Sequence, residues 1–229
     1  MVEKQRVFVI GGSSGIGRAT AAAAAASGAE VVIIGRNEGR VQEAAASIPS
    51  ADGLVVDVRD IRALDACLEE KRPIDHLVFS AAELTSAPFA EIDIAEAKRM
   101  FDVKFWGAFA AVQSAARFLP EGGSATLFSG VAARHPIEGL SVVAAINGAI
   151  EALVRALAME LSPRRVNAVS PGFIDSHGID DAQRAQLVKR LPARRVGTPG
   201  DVAHAVLMLM KNPYVTGTVL SVDGGRSII

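Results

Sequence analysis

The hydrophobic residues of the 229-residue chain cluster in short runs, which alternate with longer stretches where apolar and polar positions mix. Short continuous apolar runs between turn-forming residues are typical of strands that are buried on both faces. The runs predict seven strands, at residues 7–10, 31–34, 54–56, 76–79, 125–128, 166–169 and 218–222. The stretches between them predict helices at residues 19–26, 38–48, 61–71, 180–191 and 201–211, and two long helices from Ala95 to Leu119 and from Val142 to Leu161.

This alternation of strands and helices predicts an α/β fold. We expect a doubly wound parallel sheet of seven strands, with right-handed crossovers and helices on both faces. No linker of altered composition divides the chain, so residues 1–229 are expected to form a single domain. In such a sheet the ligand binds at the carboxyl ends of the strands, and the polar, irregular region between Pro171 and Pro199 is where a substrate lid would lie.

Composition argues against several classes of partner. The 24 basic and 25 acidic side chains give a formal net charge of −1, so no general field favours nucleic acid or an anionic membrane, and neither is expected. No apolar run reaches the roughly 18 to 20 residues that a membrane span needs. The single cysteine, Cys67, cannot form an internal disulfide, and residues 1–6 lack an apolar signal core, so a cytoplasmic protein is expected.

A glycine-rich turn follows the first predicted strand, in the pattern Gly11-x-x-x-Gly15-x-Gly17. Glycine permits a sharp turn, a close approach of backbone to a pyrophosphate, and tight packing of helix on strand, while the helix N-terminus attracts the anion. The pattern predicts a dinucleotide site formed by Gly11, Ser13, Ser14, Gly15, Ile16 and Gly17. An ordinary tight turn between strand and helix is the alternative, since the spacing differs from the common G-x-G-x-x-G.

Taken in order, four motifs resemble those of the short-chain dehydrogenase/reductase family, and the resemblance covers nearly the whole chain. They are the glycine-rich turn, Asp57-Val58, the run from Arg165 to Gly172, and the segment from Tyr214 to Gly225. The resemblance implies a Rossmann-type fold that binds a nicotinamide dinucleotide and catalyses oxidation or reduction.

The resemblance also assigns roles to residues of the cofactor half. Asp57 corresponds to the carboxylate that accepts a hydrogen bond from the adenine amino group, with Val58 beside the ring; a helix N-cap is the alternative for Asp57. The nicotinamide end is expected to contact Ala81, Pro171, Gly172, Ile174 and Ser176.

Cofactor preference is predicted from the end of the second strand. An acidic side chain there would bind the ribose hydroxyls of NAD, but the chain has Gly35 followed by Arg36. Because a guanidinium pairs with phosphate oxygens, we expect NADP(H) to be preferred over NAD(H), with Ser13 or Ser14 adding a hydrogen bond. A solvated surface charge is the alternative for Arg36.

The catalytic half departs from the family pattern. The usual tyrosine, lysine, serine and asparagine positions correspond to Val143, Asn147, Gly130 and Lys104. Asparagine and lysine thus look exchanged, which resembles a small atypical branch of the family, and Lys104, Ser129 and Asn147 become the candidate catalytic residues. The alternative for Lys104 is a lysine on a helix surface.

Other side chains could supply a proton, although no motif supports them. These candidates are Glu83, His135, Ser141, Asp175 and His177. Tyr214, the single tyrosine, is interpreted as structural. The four histidines, His76, His135, His177 and His204, lack the spacing of metal ligands, and we predict no metal site.

The leading functional prediction is an NADP(H)-dependent oxidoreductase that acts on a small carbonyl or alcohol. The alternatives are a catalytically degenerate NADPH-binding sensor or scaffold, and a non-redox isomerase or lyase on the same fold. We also expect a homo-oligomer, dimer or tetramer, built on the two long helices from Ala95 to Leu119 and from Val142 to Leu161. Their large apolar residues exceed what one sheet face needs, at Phe101, Phe105, Trp106 and Phe109.

Overall fold

The sheet has the predicted seven parallel strands. The computed structural model describes residues 4–176, 178 and 180–229. The strands, β1 to β7, are Arg6–Ile10, Glu30–Gly35, Ala51–Val55, His76–Phe79, Ser124–Phe128, Arg165–Pro171 and Val219–Val222. Their spatial order is β3-β2-β1-β4-β5-β6-β7, and every neighbouring pair is parallel. The order reverses between β1 and β4, where a doubly wound sheet opens its ligand crevice.

Eight α-helices connect the described strands. The helices, α1 to α8, are Gly15–Ala26, Glu38–Ser47, Ile61–Glu70, Ile94–Phe101, Gly107–Ala115, Ser141–Glu160, Asp181–Arg190 and Pro199–Lys211. A π-helical turn, Asp102–Trp106, joins α4 to α5, and short 3₁₀ turns occur at Val131–Ala133 and Arg226–Ile228.

Each strand contributes to two hydrophobic layers because its side chains alternate in direction. Phe8 and Ile10 of β1 pack in the layer formed with α3, α5 and α6. Val7 and Val9 pack in the opposite layer, formed with α1, α2 and α8. Both faces of the sheet are therefore covered, which explains the continuous apolar runs in the sequence.

The turn between β1 and α1 requires glycine for steric reasons. Gly11 has φ +81°, and a Cβ there would lie 2.6 Å from the backbone nitrogen of Ala81. A Cβ at Gly17 would lie 2.2 Å from the carbonyl oxygen of Gly11 and 2.5 Å from Ser80 Oγ. The glycines thus let α1 pack directly against the ends of β1 and β4.

Two elements differ from the sequence predictions. Strand β3 begins at Ala51 rather than residue 54, because Ala51, Asp52 and Gly53 pair with β2 along a half-exposed sheet edge that leaves no apolar run in the sequence. The helix predicted from Ala95 to Leu119 contains the π-helical turn, and its last α-helical residue is Ala115.

Helix α6 is long and apolar enough to cross a membrane by length and composition, with a mean hydropathy of 1.7. The expectation that no stretch reaches this length is therefore wrong for α6. Its buried residues, among them Val143, Ile146, Ile150 and Val154, belong to the hydrophobic core. A core helix meets the same criterion, so α6 alone is weak support for a membrane span.

Candidate functional site

Two adjoining cavities open at the carboxyl edge of the sheet. The first, which we call the glycine-loop cleft, has a volume of about 360 Å³ and lies at the ends of β1, β2 and β4. The second, the apolar cavity, has a volume of about 320 Å³ and lies between β4, β5, β6 and α6. The cavities share four lining residues, Ile16, Ser80, Ala81 and Ala82.

Most of the predicted cofactor residues line the glycine-loop cleft. They are Gly11, Ser13, Ser14, Gly15, Ile16, Gly17, Arg36, Asp57, Val58, Ala81 and Ser176. Pro171 and Gly172 line the apolar cavity instead. Ile174 lines neither cavity and forms an isolated parallel bridge with Gly197.

The N-terminus of α1 gives the cleft an anion-binding character. Ser14 occupies the N-cap position, yet its side chain makes no capping hydrogen bond, and the first turn carries no acidic residue. The first N–H groups of the helix therefore lack a side-chain acceptor, and the positive end of the helix dipole lies at the cleft. A pyrophosphate fits this environment.

Two arginines follow β2 at the cleft. Arg36 and Arg40 both line it, and Arg40 carries a second guanidinium that the sequence analysis missed. Arg36 forms an ion pair with Glu83, whose other carboxylate oxygen lies 3.3 Å from Arg99 Nε. Glu83, a candidate proton donor from the sequence, is therefore a partner of two arginines.

Asp57 lies at the cleft but is not a helix N-cap. The N-cap of α3 is Asp60, which accepts a hydrogen bond from the backbone nitrogen of Ala63 at 3.0 Å. Asp57 accepts hydrogen bonds from the side chain and backbone of Arg59, and these hold the pKa of its carboxyl below the usual value. Asp57 is thus available as a carboxylate acceptor at the cleft.

The apolar cavity brings together the candidate catalytic residues and the positions that the sequence analysis compared with the family's catalytic set. Lys104, Ser129, Gly130, Val143 and Asn147 line it together. Most of the remaining wall is apolar, with contributions from Phe79, Leu84, Ala108, Phe128, Val131, Ala132, Ile137, Leu140, Ile150 and Phe173.

Lys104 is a buried cation, and the alternative of a surface lysine is wrong. It lies in the π-helical turn and is 5% exposed, whereas Trp106 in the same turn is 51% exposed. Its Nζ donates to Asn147 Oδ1 at 2.6 Å and to the carbonyl oxygen of Ser129 at 3.2 Å. Burial lowers the pKa of the Lys104 amine to about 8 because the charged form loses its hydration.

Behind the cavity, a second hydrogen-bonded chain involves Glu151, which the sequence analysis missed. Ser129 Oγ donates to Glu151 Oε1 at 3.0 Å, and Arg134 Nε donates to Glu151 Oε2 at 3.0 Å. Glu151 is buried on the inner side of α6, one turn after Asn147. An acidic residue at an apolar helical position was the signal in the sequence that could have identified it.

The other described candidates, Ser141, His135 and Asp175, line neither cavity. Ser141 is exposed at the start of α6, His135 lies in the loop before it, and Asp175 pairs with Arg184. Tyr214 is 98% exposed after α8. His177 is outside the described residues. Among those that are described, no cluster of three or more His, Cys, Asp or Glu side chains could hold a metal ion.

The amino-acid sequence is similar to known oxidoreductases over almost its whole length. A family profile described as "Enoyl-(Acyl carrier protein) reductase" matches residues 11–227. A short-chain dehydrogenase/reductase of Stachybotrys chlorohalonatus is 33% identical, with coverage of 98% of this chain and 97% of that protein.

Two solved structures are similar over almost their whole length. A short chain dehydrogenase/reductase family protein has 34% identity and a TM-score of 0.92, with 100% of this chain and 99% of that chain covered. A small-chain dehydrogenase in complex with NADPH has 34% identity and a TM-score of 0.87, with 99% and 100% covered.

The burial of Lys104 leads to a prediction about stability and pH. Since its pKa is about 8 in the folded protein against an ordinary 10.5, the unfolded chain binds more protons between these pH values. The contribution of Lys104 to the wild-type free energy of unfolding should therefore rise between about pH 8 and pH 10.5. In Lys104→Met this rise should be missing.

Urea unfolding measured across this pH range tests the prediction, with Lys211→Met, at an exposed lysine on α8, as the control. If the free energies of unfolding of wild type and Lys104→Met change in parallel with pH, the Lys104 amine is not desolvated in the folded protein.

Proposed function

Because the chain belongs to the short-chain dehydrogenase/reductase family, we propose that it is an NADP(H)-dependent oxidoreductase with a non-standard active site, which interconverts a small carbonyl compound and its alcohol. The observation that carries this proposal is the buried amine of Lys104, which lies in an apolar cavity adjoining the glycine-loop cleft. Lys104 takes the place of the usual tyrosine as the group that handles the proton.

The residues of the glycine-loop cleft fit a nicotinamide dinucleotide phosphate. The uncapped N-terminus of α1 would hold the pyrophosphate, Arg36 and Arg40 the 2′-phosphate, and Asp57 the adenine amino group. When bound, the reduced cofactor supplies a hydride to a carbonyl carbon. The NADPH complex of the similar small-chain dehydrogenase supports this choice of cofactor.

The protein's own part in the reaction is to hold the substrate and move a proton. An amine with a pKa of about 8 is mostly protonated at neutral pH, yet it gives up a proton far more readily than an ordinary lysine. Ser129 and Asn147 fix its position by accepting two of its hydrogen bonds. The apolar walls exclude water, which strengthens the interaction of the amine with a developing alkoxide.

One observation supports the other functions considered for this fold. Val143, at the usual tyrosine position, presents an apolar side chain to the cavity and cannot transfer a proton. A catalytically degenerate NADPH-binding sensor or scaffold, or an isomerase or lyase, would also be compatible with this substitution.

The proposal predicts that NADPH binds more tightly than NADH and that Arg36→Ala removes most of the difference. Loss of a charge-assisted contact to the phosphate should weaken NADPH binding by about tenfold to a hundredfold. Fluorescence titration of both cofactors measures it. Arg99→Ala is the matched control, since Arg99 also faces Glu83 but does not line the cleft. Equal affinities of the wild type for the two cofactors would contradict the preference.

The missing tyrosine predicts slow turnover. Loss of preorganised acid catalysis reduces rates by roughly 10² to 10⁴, so vicinal diketones and quinones should be reduced in preference to simple ketones. Lys104→Met should lower the rate further without loss of NADPH binding. The loss of NADPH absorbance during turnover measures both the carbonyl preference and the effect of Lys104→Met. A wild type that reduces no activated carbonyl would favour the sensor, scaffold, isomerase or lyase alternatives.

Restoration of the family pattern provides a second arm of this test. Gly130→Ser alone should not help, because a Cβ there would lie 2.8 Å from Asn147 Nδ2. Gly130→Ser, Val143→Tyr, Asn147→Lys and Lys104→Asn, combined in one protein, should raise the reductase rate.

We also propose a homo-oligomer formed through α4, α5 and α6. Ile94 on α4, Trp106 in the π-helical turn before α5, and Met159 on α6 are 66%, 51% and 81% exposed, which is unusual for large apolar side chains. Light scattering should give a multiple of 23.8 kDa. Trp106→Arg should shift the mass toward the monomer, whereas Met208→Arg, at an exposed methionine on α8, should not. A wild-type monomer at micromolar concentration would be the contrary result.

A further inference from the structure

The apolar cavity contains one ionisable side chain among its described lining residues. That side chain is Lys104, and the other polar side chains in the wall belong to Ser80, Ser129 and Asn147. At about 320 Å³, the cavity is at the small end of the range for ligand pockets. It therefore suits a compact ligand with few polar groups.

Among the described residues, the Lys104 ammonium has no anionic partner. It has three N–H groups, and the described residues provide two acceptors, the amide oxygen of Asn147 and the carbonyl oxygen of Ser129. Within the described part of the chain, no carboxylate oxygen lies within 4.0 Å of Nζ. A ligand oxygen that carries negative charge would supply both the third acceptor and the missing charge.

The lysine also fixes the orientation of the Asn147 amide. Because an ammonium can only donate, the carbonyl oxygen of the amide must face Lys104, as its 2.6 Å contact shows. The NH₂ group then occupies the other arm of the same amide, beside Gly130, where a Cβ would approach Nδ2 to 2.8 Å. Across the described residues, Nδ2 has no acceptor, and its residue lines the cavity. Glycine at position 130 thus leaves room for a second donor.

We propose that Lys104 Nζ and Asn147 Nδ2 together form an oxyanion site, which selects compact, uncharged carbonyl compounds with an apolar body. The inference rests on the proposed function, since the anion that this site stabilises is the alkoxide formed by reduction. A hydride from the reduced cofactor bonds to the carbonyl carbon, the carbon–oxygen π pair moves to oxygen, and the oxygen takes a proton from Lys104. The cofactor is oxidised, and the neutral amine regains a proton from water.

The walls define the substrate class. A carboxylate, a phosphate or several hydroxyls on the substrate would lose their hydration against Phe79, Phe128, Ile137 and Val143 without gaining partners. A single carbonyl oxygen, in contrast, meets two donors at one position. Simple cyclic ketones and diketones fit this description, whereas sugars and charged keto acids do not.

A test without cofactor uses 4-nitrophenol, whose phenolate and phenol forms differ in absorbance, and 4-nitrotoluene as a neutral probe of the same shape. In the wild type, bound 4-nitrophenol should ionise at a pH about one unit or more below that of the free compound, because its oxygen meets a cation and an amide donor. Bound probe that stays a neutral phenol at the ionisation pH of the free compound would overturn the inference.

Two variants of similar side-chain volume separate charge from shape. Lys104→Met and Asn147→Leu should each weaken 4-nitrophenolate binding by about tenfold or more, while 4-nitrotoluene affinity stays within about threefold. Gly130→Ala displaces the amide but keeps Lys104. Its affinity for 4-nitrophenolate should therefore lie between those of these two variants and that of the wild type. The decisive quantity is the ratio of 4-nitrophenolate affinity to 4-nitrotoluene affinity. If this ratio stays at the wild-type value in Lys104→Met, the amine is not part of the site. If it stays there in both Asn147→Leu and Gly130→Ala, the amide is not part of the site.

The same measurements distinguish failure of this inference from failure of the proposed function. NADPH titration reports the glycine-loop cleft, and phenolate ionisation reports the apolar cavity. Phenolate binding without NADPH binding would overturn the proposed function but not the oxyanion site. NADPH binding without phenolate ionisation would overturn the oxyanion site but not the proposed function.

Discussion

The hydrogen bond from Lys104 Nζ to Asn147 Oδ1 determines the arrangement of the cavity. A cation buried without a nearby carboxylate needs neutral acceptors, and the amide of Asn147 and the carbonyl of Ser129 provide them. The bond forces the amide NH₂ toward position 130, where only glycine leaves space. One buried charge thus constrains two further positions, one on α6 and one after β5.

The fold was largely predictable because a parallel sheet covered on both faces leaves its mark as continuous apolar runs, and all seven strands were located in this way. The prediction failed where burial is incomplete. At the sheet edge, Ala51, Asp52 and Gly53 are held in β3 by backbone pairing with β2, which no side-chain pattern records. The π-helical turn at Asp102–Trp106 was missed for a related reason, since its residues look helical and only the hydrogen-bond register differs.

For the site, positions inside a motif could be predicted and partnerships across the fold could not. The glycine-rich turn was predicted from local spacing, and Asp57 and the changed catalytic positions from the family resemblance; the structure places all of them at the same edge of the sheet. The ion pair of Arg36 with Glu83 and the link from Ser129 to Glu151 join residues that are 47 and 22 positions apart. Such pairs depend on strand order and crossover geometry, which a single sequence does not specify.

Under the proposed function, the residues at the predicted catalytic positions are better understood as one coupled set than as independent losses. The exchange of asparagine and lysine that the family resemblance implies would keep one donor and one acceptor in contact, as Lys104 and Asn147 are, but would move the charge from α6 to the π-helical turn. Such an exchange would also disfavour serine at position 130, because a Cβ there would lie 2.8 Å from Asn147 Nδ2. Random decay of a catalytic set would be expected to leave a buried cation without acceptors, at a cost to stability. Here two of the three Lys104 N–H groups have protein acceptors, and an oxygen atom bound in the proposed oxyanion site would supply the acceptor that the third N–H and Asn147 Nδ2 lack among the described residues.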